Sequence, residues 1–405
     1  MSFEITRRQG LKGLVAASGT IAAPAILRAE EKEIVIGAPN SLTGGLGELG
    51  TRTVFGLQLA VDHVNREGGI KSLGGAKLKL IVADTTSENP PQAASITRRM
   101  IDQDGAVVIA GATASAMTLA AQVETEKSEV PLITSSYADG IVTRGFKYSF
   151  KLTPQGSVIW NFSLKSAVDL WTAVKGKPPK TVGIFMANDG VGLVVQKSLP
   201  EYAKTLGLEV PFSTPFQMGL SDPSALVAPV LRYKPDMLFL GAFTNDLLLV
   251  VKALRGVGAT MPIFSAGPAA GDSIGAGLGK AGDRLFAPIV WNWDLTTPGN
   301  KEFVEAYHRD MPDKPYPPAA EMMGQGYTAG QIIRQALEKA ASRDPKKIRD
   351  VISSTEFTDV VLPATKVKFD ETGLNVLNKA LLTEWMGGVL HTVWPPENKA
   401  FDAVL

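Results

Sequence analysis

Short, continuously apolar segments alternate with helical patterns along most of the chain, and this rhythm constrains the fold more than any other feature. The first such segment, residues 33–39, is followed by Val54, Leu57, Val61 and Val64, whose spacing puts them on one face of a helix. Strands that are apolar throughout are buried on both faces, which is typical of a parallel sheet covered by helices. The sequence therefore predicts an α/β fold.

The alternation occurs in two stretches of similar size, the first over residues 33–134 and the second after Pro154. In the second stretch, strand patterns occupy residues 182–186, 237–241 and 262–265. A chain of 405 residues is long enough for two or three domains, so we expect two α/β lobes. Residues 367–369 and 380–394 carry strand patterns with no helix between them, which predicts antiparallel edge strands closing a lobe.

Charge and composition exclude several function classes. The chain has 41 Lys and Arg against 40 Asp and Glu, which argues against a large basic surface for nucleic acid. Cysteine is absent and only three histidines occur, so thiolate nucleophiles, disulfides and Cys-type metal sites are excluded. Composition alone does not exclude an enzyme, but it makes the usual catalytic side chains scarce. Together with the motifs considered below, it leads us to expect a protein that is not an enzyme and that holds no cofactor and no metal.

The N-terminus has the pattern of an export signal. Arg7 and Arg8 precede an apolar run over residues 14–27, which at about 14 residues is too short to span a bilayer as a helix. The paired arginines resemble a twin-arginine signal. We therefore predict that residues 1–29 are a twin-arginine export signal and that the mature chain works in the periplasm without membrane insertion.

Residues 45–50 (GLGELG) match the G-x-G-x-x-G pattern of dinucleotide sites between a predicted strand and a helix. Such a site needs its glycines directly after the strand and an acidic residue about 20 residues further on. Here five residues separate Pro39 from Gly45, and Asp84 lies 34 residues beyond Gly50. We interpret the segment as a flexible loop that faces a ligand. A nucleotide-dependent oxidoreductase is the alternative.

Two neighbouring strand ends carry small and hydroxyl-bearing residues. Residues 110–116 (AGATASA) join a buried strand to a helix, and residues 134–139 (TSSYAD) follow the next strand. Open α/β sheets bind ligands at this edge, and the free N–H groups of a helix N-terminus attract anions. The sequence predicts a pocket for a small anion around Ser115. The alternative is that Ser115 only caps the helix.

Several segments together, in order, resemble the type I periplasmic binding proteins, specifically the leucine/isoleucine/valine-binding branch of ABC-transporter solute receptors. The segments that carry the resemblance are residues 36–37, 42–44, 59–70, 130–133, 143–151 and 369–373, with Asp84 after the second strand.

The resemblance implies two lobes joined by three crossovers, near residues 152–154, 287–288 and 369–370. One lobe would be residues 33–154 plus 288–370, and the other residues 155–287 plus 371–405. Each lobe is a mostly parallel sheet flanked by helices, and the two close on a ligand held between them.

The resemblance also implies which residues contact the ligand. The positions that hold an amino acid's carboxylate in the family match Ser115, Ser136 and Ala138, although Ala138 lacks the usual hydroxyl. The positions for the ammonium group match Leu49, Val191, Phe243 and the acid-free residues 266–270. A buried ammonium without an anion would cost several kcal/mol. The acidic residues that could replace the missing partner are Asp189, Asp246, Asp272 and Glu321.

The ligand class therefore stays open between a branched-chain amino acid and a carboxylate with an apolar or aromatic body. The aromatic residues suited to such a body are Tyr137, Phe243, Trp291 and Trp293. The full set of expected ligand contacts is Leu49, Thr113, Ala114, Ser115, Ser136, Tyr137, Ala138, Asn188, Val191, Phe243, Thr244 and Glu321.

The expected function is that of a periplasmic solute-binding receptor of an ABC importer, which closes on its ligand by hinge bending and presents it to permease subunits. A ligand sensor that feeds a membrane signalling protein is the alternative that shares this fold. No nucleic-acid partner is expected.

Overall fold

Two separate sheets with helices around them form the framework of the protein, as the alternating pattern predicts. The computed structural model describes residues 33–188, 190–265, 269–318 and 320–405. The predicted export signal, Asp189 and residues 266–268 lie outside the described residues.

The elements alternate along the chain. The strands are β1 (Ile34–Asn40), β2 (Leu78–Asp84), β3 (Val108–Ala110), β4 (Leu132–Thr134), β5 (Ser149–Lys151), β6 (Val182–Ala187), β7 (Ser213–Phe216), β8 (Met237–Gly241), β9 (Ile263–Ser265), β10 (Leu285–Ile289), β11 (Glu356–Thr358), β12 (Lys366–Lys368), β13 (Leu381–Met386) and β14 (Val389–Trp394). The helices are α1 (Gly47–Arg66), α2 (Pro90–Asp102), α3 (Ser115–Lys127), α4 (Gly140–Thr143), α5 (Gly156–Lys175), α6 (Gly190–Thr205), α7 (Ser224–Tyr233), α8 (Thr244–Gly256), α9 (Asp272–Leu278), α10 (Asn300–Asp310), α11 (Glu321–Ala340) and α12 (Pro345–Ser354).

The first sheet has the strand order β2-β1-β3-β4-β5, and all its neighbouring strands are parallel. The second sheet has the order β14-β13-β10-β9-β8-β6-β7, in which β6 to β10 are parallel. Every residue of β6 and β8 is buried, which explains why these strands are apolar throughout. The predicted lobe boundaries follow the same division of the chain and stay a prediction.

The antiparallel strands confirm one half of the expectation for the C-terminal region and correct the other. β13 pairs antiparallel with β10 and with β14, at the edge of the second sheet. β12 instead pairs with β11 in a separate two-stranded sheet. Residues 367–369 therefore do not close either main sheet.

Helices α1 and α11 touch through their backbones, and glycine makes this possible. A Cβ atom at Gly56 would lie 1.9 Å from the carbonyl oxygen of Met323, and one at Gly326 would lie 2.0 Å from that of Thr53. No side chain fits at such separations. The contact brings Glu321, the first residue of α11, into the same region as the first turns of α1.

The expectation of a loop over the glycine-rich segment is wrong for its second half, because α1 begins at Gly47. A Cβ atom at Gly50 would lie 1.8 Å from the carbonyl oxygen of Ser41, so the helix packs directly on the backbone that follows β1. Gly50 is thus explained by close packing of a helix. This observation argues against the nucleotide-site interpretation. Within the described part of the chain, no helix has both the length and the apolar character needed to cross a bilayer.

Candidate functional site

A cavity of about 230 Å³ lies where the carboxyl ends of strands from both sheets approach each other. Thr113, Ser115, Ser135 and Tyr137 line it from the loops after β3 and β4. The other residues that line it are Leu46, Leu49, Ile159, Trp160, Phe243, Ala269, Ala270, Pro288, Ile289, Glu321 and Met322. Most of this surface is apolar, and the polar groups are few, as in many small-molecule sites.

Two serine hydroxyls meet at the start of α3. The Oγ atoms of Ser115 and Ser136 are 3.0 Å apart, joining the ends of β3 and β4. The N-cap of α3 is Ala114, and no side chain caps the helix. The alternative in which Ser115 serves as the cap is therefore wrong, because Ser115 is already the first helical residue. The hydroxyl pair and the uncapped first turn together can hold a carboxylate.

A buried hydrogen-bond network fixes the loop after β3. The Thr113 hydroxyl donates to Asn40 Oδ1 over 2.9 Å, and Asn40 Nδ2 donates to the carbonyl of Ala110 over 3.3 Å. Asn40 ends β1, so the network ties two neighbouring strand ends together. Thr113 lines the cavity, but its hydroxyl proton is already donated to Asn40. We interpret it as a residue that positions the loop.

Glu321 is the one charged side chain among the described residues that line the cavity. Its Oε1 atom accepts the phenol proton of Tyr137 over 2.5 Å and the backbone N–H of Val290 over 3.2 Å. Burial raises the pKa of Glu321 to about 7, against the lowering effect of these two hydrogen bonds. Burial and the nearby Glu321 carboxyl raise the pKa of Tyr137 well above its usual value. The Tyr137 proton is thus committed to Glu321.

The structure separates three of the four acidic residues considered as partners for an ammonium group. Asp246 is buried and accepts the backbone N–H groups of Gly219 and Leu220 over 3.1 and 2.8 Å. Asp272 forms an ion pair with Arg52, and Asp189 lies outside the described residues. Glu321 lines the cavity, whereas Asp246 and Asp272 do not.

The aromatic side chains of the cavity are Tyr137, Phe243 and Trp160. Phe243 is 41% exposed, which is unusual for its size and leaves a face open to a ligand. Trp291 and Trp293 do not line the cavity, and their contact with a ligand body stays a prediction. Their indole N–H groups bind Asn300 Oδ1 and the carbonyl of Leu390, both over 2.7 Å, because the chain after β10 packs against α10 and β14.

Six of the residues predicted from the sequence line the cavity, namely Leu49, Thr113, Ser115, Tyr137, Phe243 and Glu321. Ser136 joins them through its bond to Ser115. Ala114, Ala138, Asn188 and Thr244 are not among the lining residues, and the side chain of Val191 lies outside the described part. Their roles in ligand binding stay predictions.

Trp160 is the most informative residue that the sequence did not reveal as part of the site. It lies in the first turns of α5, after the first crossover, and its indole N–H has no hydrogen-bond partner among the described residues. A tryptophan at helical spacing is usually a core residue, so nothing in its sequence context indicated a site. The crossover brings α5 to the cavity wall beside Ile159.

The chain is similar in sequence to known binding proteins. The model of a family described as periplasmic binding proteins matches residues 33–388, which is most of the chain. The chain belongs to the periplasmic binding protein family. Among curated relatives, Leu/Ile/Val-binding protein homolog 8 of Brucella abortus (strain 2308) is 28% identical over 400 residues, covering 96% of each chain. Homolog 7 of the same strain is 25% identical over 398 residues, covering 94% of this chain and 95% of the relative.

Solved structures confirm the predicted two-lobed type I fold. The branched-chain amino acid transporter substrate-binding protein LivJ of Streptococcus pneumoniae, in complex with isoleucine, superposes with a TM-score of 0.76 at 23% identity, covering 90% of this chain and all of that one. A solute-binding protein of an ABC transporter from R. palustris, in complex with benzoate, has a TM-score of 0.71 at 19% identity, covering 92% and 97%. The family consists of binding proteins, which supports the expectation that the chain is not an enzyme.

Proposed function

We propose that the protein is the periplasmic receptor of an ABC importer and that it binds a small carboxylate with an apolar or aromatic body. The observation that carries this proposal is the hydroxyl pair of Ser115 and Ser136 at the uncapped N-terminus of α3, beside a cavity whose lining is mostly apolar. The relatives with Leu/Ile/Val-binding names and the neighbours that hold isoleucine or benzoate support this ligand class.

The position of the cavity supports closure of the two sides about a hinge. Thr113 and Tyr137 belong to loops of the first sheet, whereas Phe243 follows a strand of the second. A ligand that touches both sides favours the closed arrangement by its extra affinity for that arrangement. The closed form is then the one that permease subunits recognise. Export through the twin-arginine pathway belongs to the same proposal, since it places the receptor in the periplasm.

A ligand screen tests the proposed function. Purified mature protein is heated with L-leucine, L-isoleucine, L-phenylalanine, benzoate, 4-methylpentanoate and NADH, each at equal concentration. A ligand at 100 times its Kd stabilises the folded form by about 2.7 kcal/mol, which raises the Tm by several degrees. We expect a rise with at least one carboxylate and no rise with NADH.

The fluorescence of Trp160 gives the screen a second readout, because its ring lines the cavity. A ligand that seats in the cavity should change the emission of the wild type and leave less change in Trp160→Phe. The proposed ligand class would be contradicted if NADH alone raised the Tm, or if no carboxylate raised it.

Replacing Ser115 with alanine should weaken carboxylate binding. The change removes one hydroxyl donor and leaves the helix amides in place, so we expect a loss of about 1–3 kcal/mol in binding free energy. Titration calorimetry with the tightest carboxylate of the screen measures it. Ser128→Ala is the matched control, because Ser128 follows the opposite end of α3. Equal affinity in the Ser115 and Ser128 variants would refute the anion site.

A further inference from the structure

The loop that carries Ser136 and Tyr137 is held from behind by the first crossover. The carbonyl of Ser136 accepts the Thr153 hydroxyl over 2.8 Å, and the carbonyl of Tyr137 accepts the N–H of Gly156 over 2.9 Å. The carbonyl of Ala138 accepts from Lys151 Nζ, also over 2.9 Å. Three successive carbonyls of one loop are thus bound by donors from a single six-residue segment, residues 151–156. Lys151 is the only charged donor of the three.

Lys151 is an unusual residue for this position. Its exposure is 0%, although lysine is almost never fully buried. Its backbone is also fixed, because its N–H donates to the carbonyl of Gly373 and its carbonyl accepts from Asn375. Lys151 therefore joins the ligand loop, the first crossover and the third crossover at one point.

The cavity itself offers an anion no positive charge. No lysine or arginine is among the described residues that line it, and its one charged residue is Glu321. The Lys151 ammonium donates a hydrogen bond to the carbonyl of Ala138, the residue next to Tyr137 in the loop. Charges act strongly over short distances inside a protein, where water screens them little. Asp139 is the nearby acid, and it favours the charged form of Lys151.

The buried charge of Lys151 carries a desolvation cost. Burial lowers the pKa of Lys151 to about 8, which means that the folded protein disfavours its charged form. At pH 7 the side chain is still mostly protonated, so the folded state bears a buried charge. A methionine of similar length would remove that cost. This cost is accepted at the position whose ammonium binds the carbonyl of the loop residue next to Tyr137.

We propose that Lys151 is a positioning residue of the anion subsite, whose ammonium fixes the Ala138 carbonyl and supplies the positive charge that the cavity lining lacks. This inference rests on the proposed function, because it concerns the carboxylate bound at Ser115 and Ser136. Lys151 does not touch the ligand and acts through the loop.

The test compares binding and stability in the same variants. The probes are benzoate with its neutral analogue benzamide, and L-leucine with L-leucinamide. We expect Lys151→Met to raise the Tm and to weaken the binding of the carboxylates at least tenfold, while amide binding changes less than threefold. Lys151→Arg, which keeps the charge, should restore most of the preference for the carboxylate. Thr153→Val removes the neighbouring loop donor without a charge, and Lys165→Met removes a charge from an exposed site on α5.

The outcomes separate the inference from the proposed function. If the wild type binds none of the four probes and none of the carboxylates of the screen, the proposed ligand class fails. If the wild type binds a carboxylate and Lys151→Met binds it equally well, the function stands and the role of Lys151 is refuted. The role of Lys151 would also be refuted if Lys151→Met and Thr153→Val each weakened the binding of the acid and of the amide equally. That result would indicate that Lys151 positions the loop without any contribution from its charge.

Discussion

Replacing Asp272 with asparagine is expected to favour the open form of the receptor and to speed ligand release. Asp272 begins α9, which lies between β9 and β10 of the second sheet, and it forms an ion pair with Arg52. Arg52 belongs to α1, which packs on the first sheet. The two side chains are only 9% and 12% exposed. A backbone bridge between Gly271 and Ala320 lies beside the pair. These contacts form a latch between the two sides of the cavity.

In the proposed hinge closure, the latch would act on the closed form, because opening would separate α9 from α1 and expose the ion pair. Removing one partner of a buried ion pair costs about 3–5 kcal/mol, since the other charge is left without its counterion. Opening by the proposed hinge would expose Arg52 to water and relieve most of this cost. The Arg52 guanidinium also donates to the Tyr307 hydroxyl over 3.1 Å, which keeps the arginine oriented after the substitution. We therefore expect the equilibrium to move toward the open form by at least tenfold.

Two measurements check the latch. Small-angle scattering of the unliganded Asp272→Asn variant should give a larger radius of gyration than the wild type, and stopped-flow fluorescence should give a faster dissociation rate. The double variant Arg52→Met, Asp272→Leu should restore slow dissociation, because an apolar pair has no charge to hydrate. Asp169→Asn, at an exposed ion pair within α5, is the control and should change neither quantity. The latch would be contradicted if the Asp272→Asn variant had the same radius of gyration and the same ligand dissociation rate as the wild type.

Replacing Glu321 with glutamine is expected to stabilise the unliganded protein above pH 7 and to leave it unchanged near pH 4. The pKa of Glu321 is raised to about 7 in the folded protein, from an ordinary value of 4.5. Between pH 4.5 and about pH 7, Glu321 keeps its proton in the folded form, whereas the unfolded chain has released it. Stability therefore falls as the pH rises through this interval, by up to about 3 kcal/mol in total.

Glutamine cannot titrate, so the variant should lack this loss. Its amide oxygen still accepts from Tyr137 and Val290, which preserves the local geometry. Urea unfolding at pH 4, 6 and 8 measures the difference in the free energy of unfolding. Asp246→Asn is the control, since the Asp246 carboxylate is buried away from the cavity lining. Equal stability of wild type and Glu321→Gln at pH 8 would show that the Glu321 carboxyl carries no burial cost.

The same variant reports on the ligand class. An ammonium group that meets Glu321 would relieve the cost of its buried charge, so the wild type should then bind L-leucine more tightly than 4-methylpentanoate. Glu321→Gln should lose that preference. Tighter binding of 4-methylpentanoate by the wild type would instead favour a ligand without an ammonium group.

The secondary structure was predictable from the sequence where the hydrophobic pattern is long and regular. Strand β8 begins and ends where the pattern indicates, and β6 and β9 agree with the predicted ranges to within one residue. Short polar strands were missed, because they bury too few apolar residues to show a period. β11 buries only Phe357, and β7 contains Pro215.

The candidate site was predictable to the extent that it depends on strand ends. Ser115, Tyr137 and Phe243 follow strands directly, and parallel strands bring their carboxyl ends to one edge of a sheet. Trp160 and the bond between Lys151 and Ala138 were not predictable, because they depend on how the first crossover returns to the cavity. A buried lysine gives no signal in a single sequence that distinguishes it from an exposed one.

The sequence by itself determined the α/β class, the order of the elements and the sheet edge at which the cavity lies, because local hydrophobic period and strand direction decide these features. The tertiary structure alone decided which acidic residue lines the cavity, which arginine meets Asp272 and what holds the ligand loop. Those contacts join residues up to 220 positions apart, as in Arg52 and Asp272. Their formation depends on the packing of whole helices and sheets, which no local pattern encodes.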